Sequence, residues 1–151
     1  MSEETRETAS KVLELLEEAC RRERGQARWY RAMAARAAMD VEDGDAPAAL
    51  VDRLNDLHAD EQHHLSRLAA RLLELGGTPP LDGGERPALP GDDWREVWEA
   101  EARRREAAEV AWYVGVLEED WSDDRTRAVL QEILEGERNQ ARDLSGKWMS
   151  A

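Results

Sequence analysis

The chain has 151 residues, of which 41% are hydrophobic and 36% charged, and its formal net charge is −13. This acidity argues against a nucleic-acid partner and against an anionic membrane surface, because both attract basic proteins. The single cysteine excludes an internal disulfide and a four-cysteine metal centre. The polar N-terminal stretch and the lack of long apolar runs predict a cytoplasmic protein without a membrane span.

Two long helices are predicted in the first half of the chain, on either side of the sequence DVEDGD. The first covers about residues 5–39, where apolar side chains recur at the three- and four-residue spacing of a helix face. The second starts near Asp45, with Pro47 in its first turn, where the missing N–H of proline costs little. It ends at Gly76-Gly77, because glycine commonly terminates helices.

Two further helices are predicted in the second half. Asp93 and Glu96 resemble a capping box that opens the third helix, which runs to about Glu119. Ser122 is the predicted N-cap of the fourth helix, whose apolar positions continue to Trp148. No segment alternates like a strand, so the predicted fold class is all-α.

The segment 77–91 is rich in glycine and proline and has no period of its own. Unstructured loops of this length are uncommon in compact domains and usually have a reason. A helix of about 25 residues is about 37 Å long, and roughly 17 extended residues span that length. We therefore predict a single four-helix bundle domain over residues 1–151. Its two antiparallel helical hairpins are joined by a long crossover loop, and helices 2 and 3 run parallel.

A repeat relates helix 1 to helix 3. Both contain Arg-Arg-Glu, and in both a Trp-Tyr pair ends seven residues after that glutamate. Glu23 therefore matches Glu106, and Tyr30 matches Tyr113, each at a shift of 83 (106 − 23 and 113 − 30). Seven residues are about two helical turns, so each glutamate lies on the same apolar stripe as its tyrosine.

A second repeat relates helix 2 to helix 4. Glu61 matches Glu137 at a shift of 76 (137 − 61), and at the same shift His64 matches Gln140. Glu61 and His64 are three residues apart and so share one helix face. Together the two repeats predict that four glutamates point into the interior of one small bundle.

Four buried carboxylates need a compensating charge. Each is costly to bury alone, and the four repel one another. A pair of divalent cations removes both problems, and hard oxygen ligands with imidazole suit iron or manganese. The pattern also matches di-iron bundles, in which two helices give one glutamate each and two give Glu-x-x-His.

With these motifs the chain resembles the ferritin-like superfamily, most closely its rubrerythrin-like members, over residues 10–148. The resemblance implies a ferritin-like four-helix bundle with two metal ions. The implied metal ligands are Glu23, Glu61, His64, Glu106, Glu109, Glu137 and Gln140. Tyr30 and Tyr113 are the implied candidate catalytic residues, as groups that hydrogen-bond the carboxylates. The family has histidine where this chain has Gln140, so the second metal position is expected to be the weaker.

The resemblance implies di-iron oxidative chemistry with O2 or peroxide, as ferrous iron oxidation or peroxide reduction. The chain lacks the cysteines of a rubredoxin module, so electrons would come from an external donor. A homodimer or larger homo-oligomer is expected. Two alternatives stay open: a ferritin-like interaction or stress protein with a degenerate or single-metal site, and a helical bundle without metal that dimerises through a tryptophan-bearing face.

Three other residues have simpler interpretations. His63 is predicted to lie on the surface or just outside the site, and His58 at a helix edge. Cys20 lies near the predicted core stripe and is expected to act as a small buried hydrophobe.

Overall fold

The computed structural model describes residues 2–83, 87 and 90–146, and over these the chain forms four α-helices and no strand. They are α1 (Glu3–Glu42), α2 (Ala48–Glu74), α3 (Trp94–Glu118) and α4 (Asp124–Gly146). The predicted all-α class and the four helices are thus confirmed within these residues, whereas the predicted end at Trp148 lies outside them. Within the described part of the chain, every helix falls short of the combined length and apolarity that a bilayer crossing requires.

The first helix is longer than predicted at both ends. At its start, the Ser2 hydroxyl accepts a hydrogen bond from the backbone N–H of Thr5 at 3.1 Å, which caps the first turn. At its end, the chain turns at Gly44, whose φ of 78° is the left-handed conformation that favours glycine. Gly76 has a φ of 80° and ends α2 in the same way, as predicted.

The N-cap predicted at Ser122 is wrong by one residue. The helix α4 begins at Asp124, and the Asp123 carboxylate accepts a hydrogen bond from the Thr126 N–H at 3.0 Å. A carboxylate reaches this N–H as a hydroxyl does, and its negative charge also interacts favourably with the positive end of the helix dipole.

The capping box predicted at Asp93 and Glu96 is not formed. Asp93 occupies the N-cap position of α3, but its side chain makes no capping hydrogen bond. Its backbone (φ −88°, ψ 7°) is not in the extended conformation typical of capping side chains. The Glu96 N–H instead bonds to the Asp93 carbonyl at 3.0 Å.

The directions of the helices follow from contacts between them. The short link after α1 makes α1 and α2 antiparallel, and Gly77, after the end of α2, packs against Leu13 near the start of α1. The helix α3 is antiparallel to α1, because Tyr30 bonds to Glu106 whereas the earlier Glu23 bonds to the later Tyr113. Two helices that are both antiparallel to α1 run parallel to each other, so α2 and α3 share one direction.

The described part of the loop between α2 and α3 follows α1 along its length. The Asp82 carboxylate accepts a hydrogen bond from the Arg21 side chain at 3.1 Å, and the Gly83 carbonyl accepts one from Arg28 at 3.3 Å. Further on, Asp92 pairs with Arg36 at 3.3 Å. These contacts advance along α1 in chain order, as the predicted crossover at 77–91 requires, although residues 84–86 and 88–89 lie outside the described residues.

Two apolar clusters fill the bundle. One includes Leu16 and Leu130, and the other includes Leu54 and Trp98. Cys20 belongs to the first cluster, and burial raises the pKa of its thiol to about 11, so it acts as the expected small hydrophobe. Along every helix, a buried glutamate and a buried polar residue three positions later lie between members of the first cluster and members of the second.

Candidate metal centre

The centre of the bundle contains one glutamate from each helix. Glu23, Glu61, Glu106 and Glu137 are all 0% exposed. Each glutamate lies on the apolar stripe of its helix, so the packing that buries the neighbouring leucines and alanines also buries the carboxylate. The structure thus brings together the four glutamates that the two repeats select.

His64 lies beside three of these carboxylates. Its Nδ1 atom is 3.1 Å from an oxygen of Glu137, 3.5 Å from one of Glu23 and 3.9 Å from one of Glu61. One ligand atom from each of these four residues lies within 4.8 Å of the others, which is close enough for all four to contact a single ion. The other two histidines lie elsewhere, since His63 is exposed and His58 is half-buried beside Gln62.

Three further predicted ligands adjoin this group: Glu106, Glu109 and Gln140. One oxygen of Glu106 accepts a hydrogen bond from the Tyr30 hydroxyl at 2.7 Å. Glu109, one turn later, is 6% exposed and accepts a hydrogen bond from Arg22 at 3.2 Å. Gln140 is 5% exposed, and its amide nitrogen donates to the Asp60 carboxylate at 3.2 Å while its oxygen has no hydrogen-bond partner.

The two tyrosines connect the halves of the repeat crosswise. Tyr30 of α1 donates to Glu106 of α3, and Tyr113 of α3 donates to Glu23 of α1, both at 2.7 Å. Each hydroxyl therefore fixes the carboxylate of the opposite half. Burial, followed by the neighbouring carboxylates, raises the pKa of both tyrosines well above its usual value, so both stay protonated and act as donors.

Removing either hydroxyl should destabilise the metal-free protein, because a buried carboxylate oxygen then loses its donor. Tyr113→Phe should reduce the free energy of unfolding by more than Tyr30→Phe does. The reason is that Tyr113 bonds to Glu23, whose lowered pKa favours the charged form, whereas Tyr30 bonds to Glu106, whose raised pKa favours the neutral form. Hydrogen bonds to charged groups contribute about 1.5–3 kcal/mol, against about 0.5–1.5 kcal/mol for neutral ones. Urea unfolding of the two variants measures the difference, and equal losses would contradict this assignment of charge.

Unpaired carboxylate oxygens are the feature of the centre that most needs an explanation. Buried polar atoms are almost always hydrogen-bonded, and each exception needs a cause. Here one oxygen each of Glu23, Glu106, Glu109 and Glu137, and both oxygens of Glu61, are buried without a hydrogen-bond partner. These oxygens leave acceptor positions open in the interior, which is what a bound cation requires.

The charge of the centre is partly balanced by protons. Burial, followed by the charges of neighbouring glutamates, raises the pKa of Glu61 and Glu137 well above the usual range. Burial also opposes the charged form of Glu23, but its close polar contacts with Glu61 and His64 outweigh burial and lower the pKa of Glu23. For His64, burial favours the neutral ring, yet the hydrogen bond with Glu137 and the nearby charge of Glu23 raise the pKa of His64 to about 10. Without metal, the imidazolium is therefore the main cation among these carboxylates.

The donor set fits a divalent metal. Carboxylate oxygens with one imidazole are ligands that suit iron or manganese. Zinc, by contrast, is often bound by thiolates, which this group lacks. Glu61 and Glu137 lie beside His64 and also beside Glu106, so these two carboxylates would be the ones shared between two ions. An ion here would take over the role of the bound protons.

Two residues near the centre were not selected from the sequence. Gln26 is 4% exposed and matches Glu109 at the repeat shift of 83 (109 − 26), so the repeat itself was the available signal. Asp60, which accepts the hydrogen bond from Gln140, is an exposed residue with no such signal. Each helix therefore has a buried polar residue three positions after its buried glutamate: Gln26, His64, Glu109 and Gln140.

Paired arginines flank the α1–α3 side of the centre. The Arg22 guanidinium lies 4.9 Å from the centre of the Trp112 ring, and Arg105 lies 4.7 Å from that of Trp29. Arg22 donates to Glu109, and Arg105 donates to the oxygen of Gln26 at 3.2 Å. The two arrangements are related by the repeat, so the duplication extends beyond the ligands to their surroundings.

Comparison of the chain with protein-family models, with curated proteins and with solved structures gives no match. The buried residues and their geometry are therefore what indicates a metal centre.

Proposed function

We propose that the protein is a ferritin-like di-iron carboxylate protein that carries out oxidative chemistry with O2 or peroxide. Ferrous iron oxidation and peroxide reduction are the two reactions that we favour, with manganese as the alternative metal. The observation that carries the proposal is the buried group of Glu23, Glu61, His64 and Glu137, whose carboxylate oxygens include several without a partner. No packing role accounts for such a group in a bundle of this size.

The two metal positions differ in their ligands. The first would be held by Glu23, Glu61, His64 and Glu137, which already lie within reach of one ion. The second would be held by Glu106 and the shared glutamates, with Glu109 beside it and only the amide oxygen of Gln140 where an imidazole is expected. An amide oxygen is neutral and a weaker donor than imidazole, so the second position should bind more weakly.

The surrounding residues have separate roles in this proposal. Bound iron supplies one-electron exchange between its ferrous and ferric states. Tyr30 and Tyr113 hold the carboxylates of Glu106 and Glu23 in place, and complete burial of the glutamates keeps bulk water away from the reaction. Electrons for repeated turnover would come from an external donor, and a homodimer or larger homo-oligomer is the proposed assembly.

A second candidate function is a ferritin-like interaction or stress protein whose centre holds one metal or none. The observation that favours it is the side chain of Gln140, whose amide nitrogen bonds to Asp60 at the surface of the bundle. In that case the carboxylates would remain as a vestige of a binuclear site, balanced by protons and by the His64 imidazolium.

Anaerobic titration with Fe(II), followed by exposure to O2 or peroxide, separates these functions. The di-iron proposal expects two binding steps, the first tighter than the second, and oxidation of the bound Fe(II) faster than that of free Fe(II). A single step without accelerated oxidation would favour the second candidate. Binding of no metal at all would overturn both the di-iron proposal and the single-metal form of the second candidate.

A further inference from the structure

A cavity of about 590 Å³ opens between the first half of α2 and the last turns of α4. Its described lining is strongly acidic, because one arginine, Arg53, faces four aspartates. These are Asp52, Asp56, Asp60 and Asp143. We call this cavity the aspartate groove.

Three of these aspartates form a row along α2. Asp52, Asp56 and Asp60 are four residues apart, so they lie above one another on a single stripe of the helix. Like charges at this spacing repel and destabilise a helix. The row is therefore unfavourable for the fold alone, which points to a role for the charge itself.

Gln140 is the lining residue of the groove that lies next to the centre along α4, one turn after Glu137. Gln140 lines the groove and is 5% exposed, and its buried side-chain oxygen has no hydrogen-bond partner. One turn earlier on α4, Glu137 also has a buried oxygen without a partner. Unpaired buried oxygens thus occur on successive turns of α4, at Gln140 in the groove lining and at Glu137 in the centre. Such unpaired acceptors are the groups that a cation contacts.

We propose that the aspartate groove loads divalent cations from solvent into the buried centre. This inference rests on the proposed function, since it assigns the entry path of the same site. A cleft lined by one sign of charge raises the local concentration of the opposite ion and its association rate. Among the described residues, the compact set of metal-ligating groups is the one around His64 rather than the groove, so the groove suits passage rather than retention.

The opposite face of the bundle lacks this property. The cavity between α1 and α3 is lined by three arginines, and each of its carboxylates has an arginine partner. Glu18 and Glu109 pair with Arg22, and Asp82 pairs with Arg21. A cation approaching there meets neutralised carboxylates and guanidinium groups, so the α2–α4 side is the favoured entrance.

Loading kinetics of the full chain test the proposal. The variant Asp52→Asn/Asp56→Asn removes two exposed charges and leaves the centre intact. Stopped-flow absorbance should show Co(II) entering the centre about 3- to 10-fold more slowly at low salt, with unchanged final metal content. The difference should shrink at high salt, because ions screen exposed charges. The control variant Glu7→Gln/Glu14→Gln changes the net charge equally on exposed positions of α1 and should load as the parent does.

Equal loading rates in the groove variant and the control variant would overturn the entry path. A second measurement keeps the path testable even if the centre itself holds no metal. Low concentrations of Mn(II) should selectively broaden the backbone NMR signals of Asp52 and Asp56 in the parent but not in the groove variant. Selective broadening without stable Co(II) uptake would contradict the proposed function while supporting cation attraction by the groove. Uniform broadening would contradict the groove.

Discussion

Mn(II) should raise the melting temperature of the parent protein by about 5 to 10 °C at concentrations near 100 times its dissociation constant. An ion that binds only the folded state adds about 2.7 kcal/mol at that excess. For a chain of this length, about 1 kcal/mol shifts the melting temperature by about 2–4 °C. Mn(II) is the suitable probe because, unlike Fe(II), it is stable in air at neutral pH. Thermal unfolding followed by circular dichroism measures the shift.

The variant Glu137→Gln should lose most of this shift. Glu137 contacts His64 and has a free buried oxygen, so the substitution removes a negatively charged ligand from the shared part of the centre. Because the raised pKa of Glu137 already favours the neutral form, the amide should leave the metal-free protein at least as stable as the parent. The matched control is Glu135→Gln, an exposed position on the same helix, which should keep the full shift. An equal shift in both variants would place the bound ion elsewhere.

The rise in melting temperature caused by Mn(II) should also be larger at pH 8 than at pH 6. The pKa of His64 rises from 6.5 to about 10 on folding, and that of Glu109 rises from 4.5 to about 7. A raised pKa in the folded state contributes stability that is complete below the unfolded pKa and is lost as the pH rises. For His64 this loss begins near pH 6.5, so the metal-free protein weakens between pH 6 and pH 8. The ion displaces these protons, so its binding strengthens over the same range. A shift that is independent of pH would mean that no protonated ligand is displaced.

Much of the bundle can be predicted from the sequence, because the residue patterns that indicate its helices are local and periodic. Glycine and proline divide the chain into helices, and Gly44 and Gly76 do adopt the left-handed backbone that ends α1 and α2. The repeats placed Glu23 and Glu106 on apolar stripes, and an apolar stripe of a bundle helix faces the interior. Burial of these glutamates therefore follows from periodicity alone.

What the sequence did not predict depends on contacts between helices. Tyr30 was expected near carboxylates, but whether it bonds to a glutamate of its own helix or of α3 depends on how the two helices are staggered. Likewise, the bond between Gln140 and Asp60 joins residues 80 positions apart. The cap at Asp123 was missed for a different reason, since neighbouring Ser122 is an equally good capping residue and only the path of the turn decides between them.

The substitution Gln140→His should convert the weaker metal position into a strong one. Gln140 is buried one turn after Glu137, so a histidine there completes the Glu-x-x-His pair that α2 already has. The Asp60 carboxylate, which now accepts a hydrogen bond from the Gln140 amide, is placed to accept one from the free ring N–H. Histidine ligands commonly have such a carboxylate partner, which fixes the ring and strengthens it as a donor.

In an anaerobic Fe(II) titration of Gln140→His, the second binding step should move to lower Fe(II) concentration and merge with the first, giving about two ions per chain. Oxidation of the bound Fe(II) by O2 should become faster. Adding Asp60→Asn should then weaken the second position by about 10- to 100-fold, because the new imidazole loses its carboxylate partner. The control Asn139→His places an imidazole on the same turn but at an exposed position, and should titrate as the parent does. If Gln140→His and the parent show the same two steps, Gln140 does not face the second ion, and Glu109 becomes the residue that completes its ligand set.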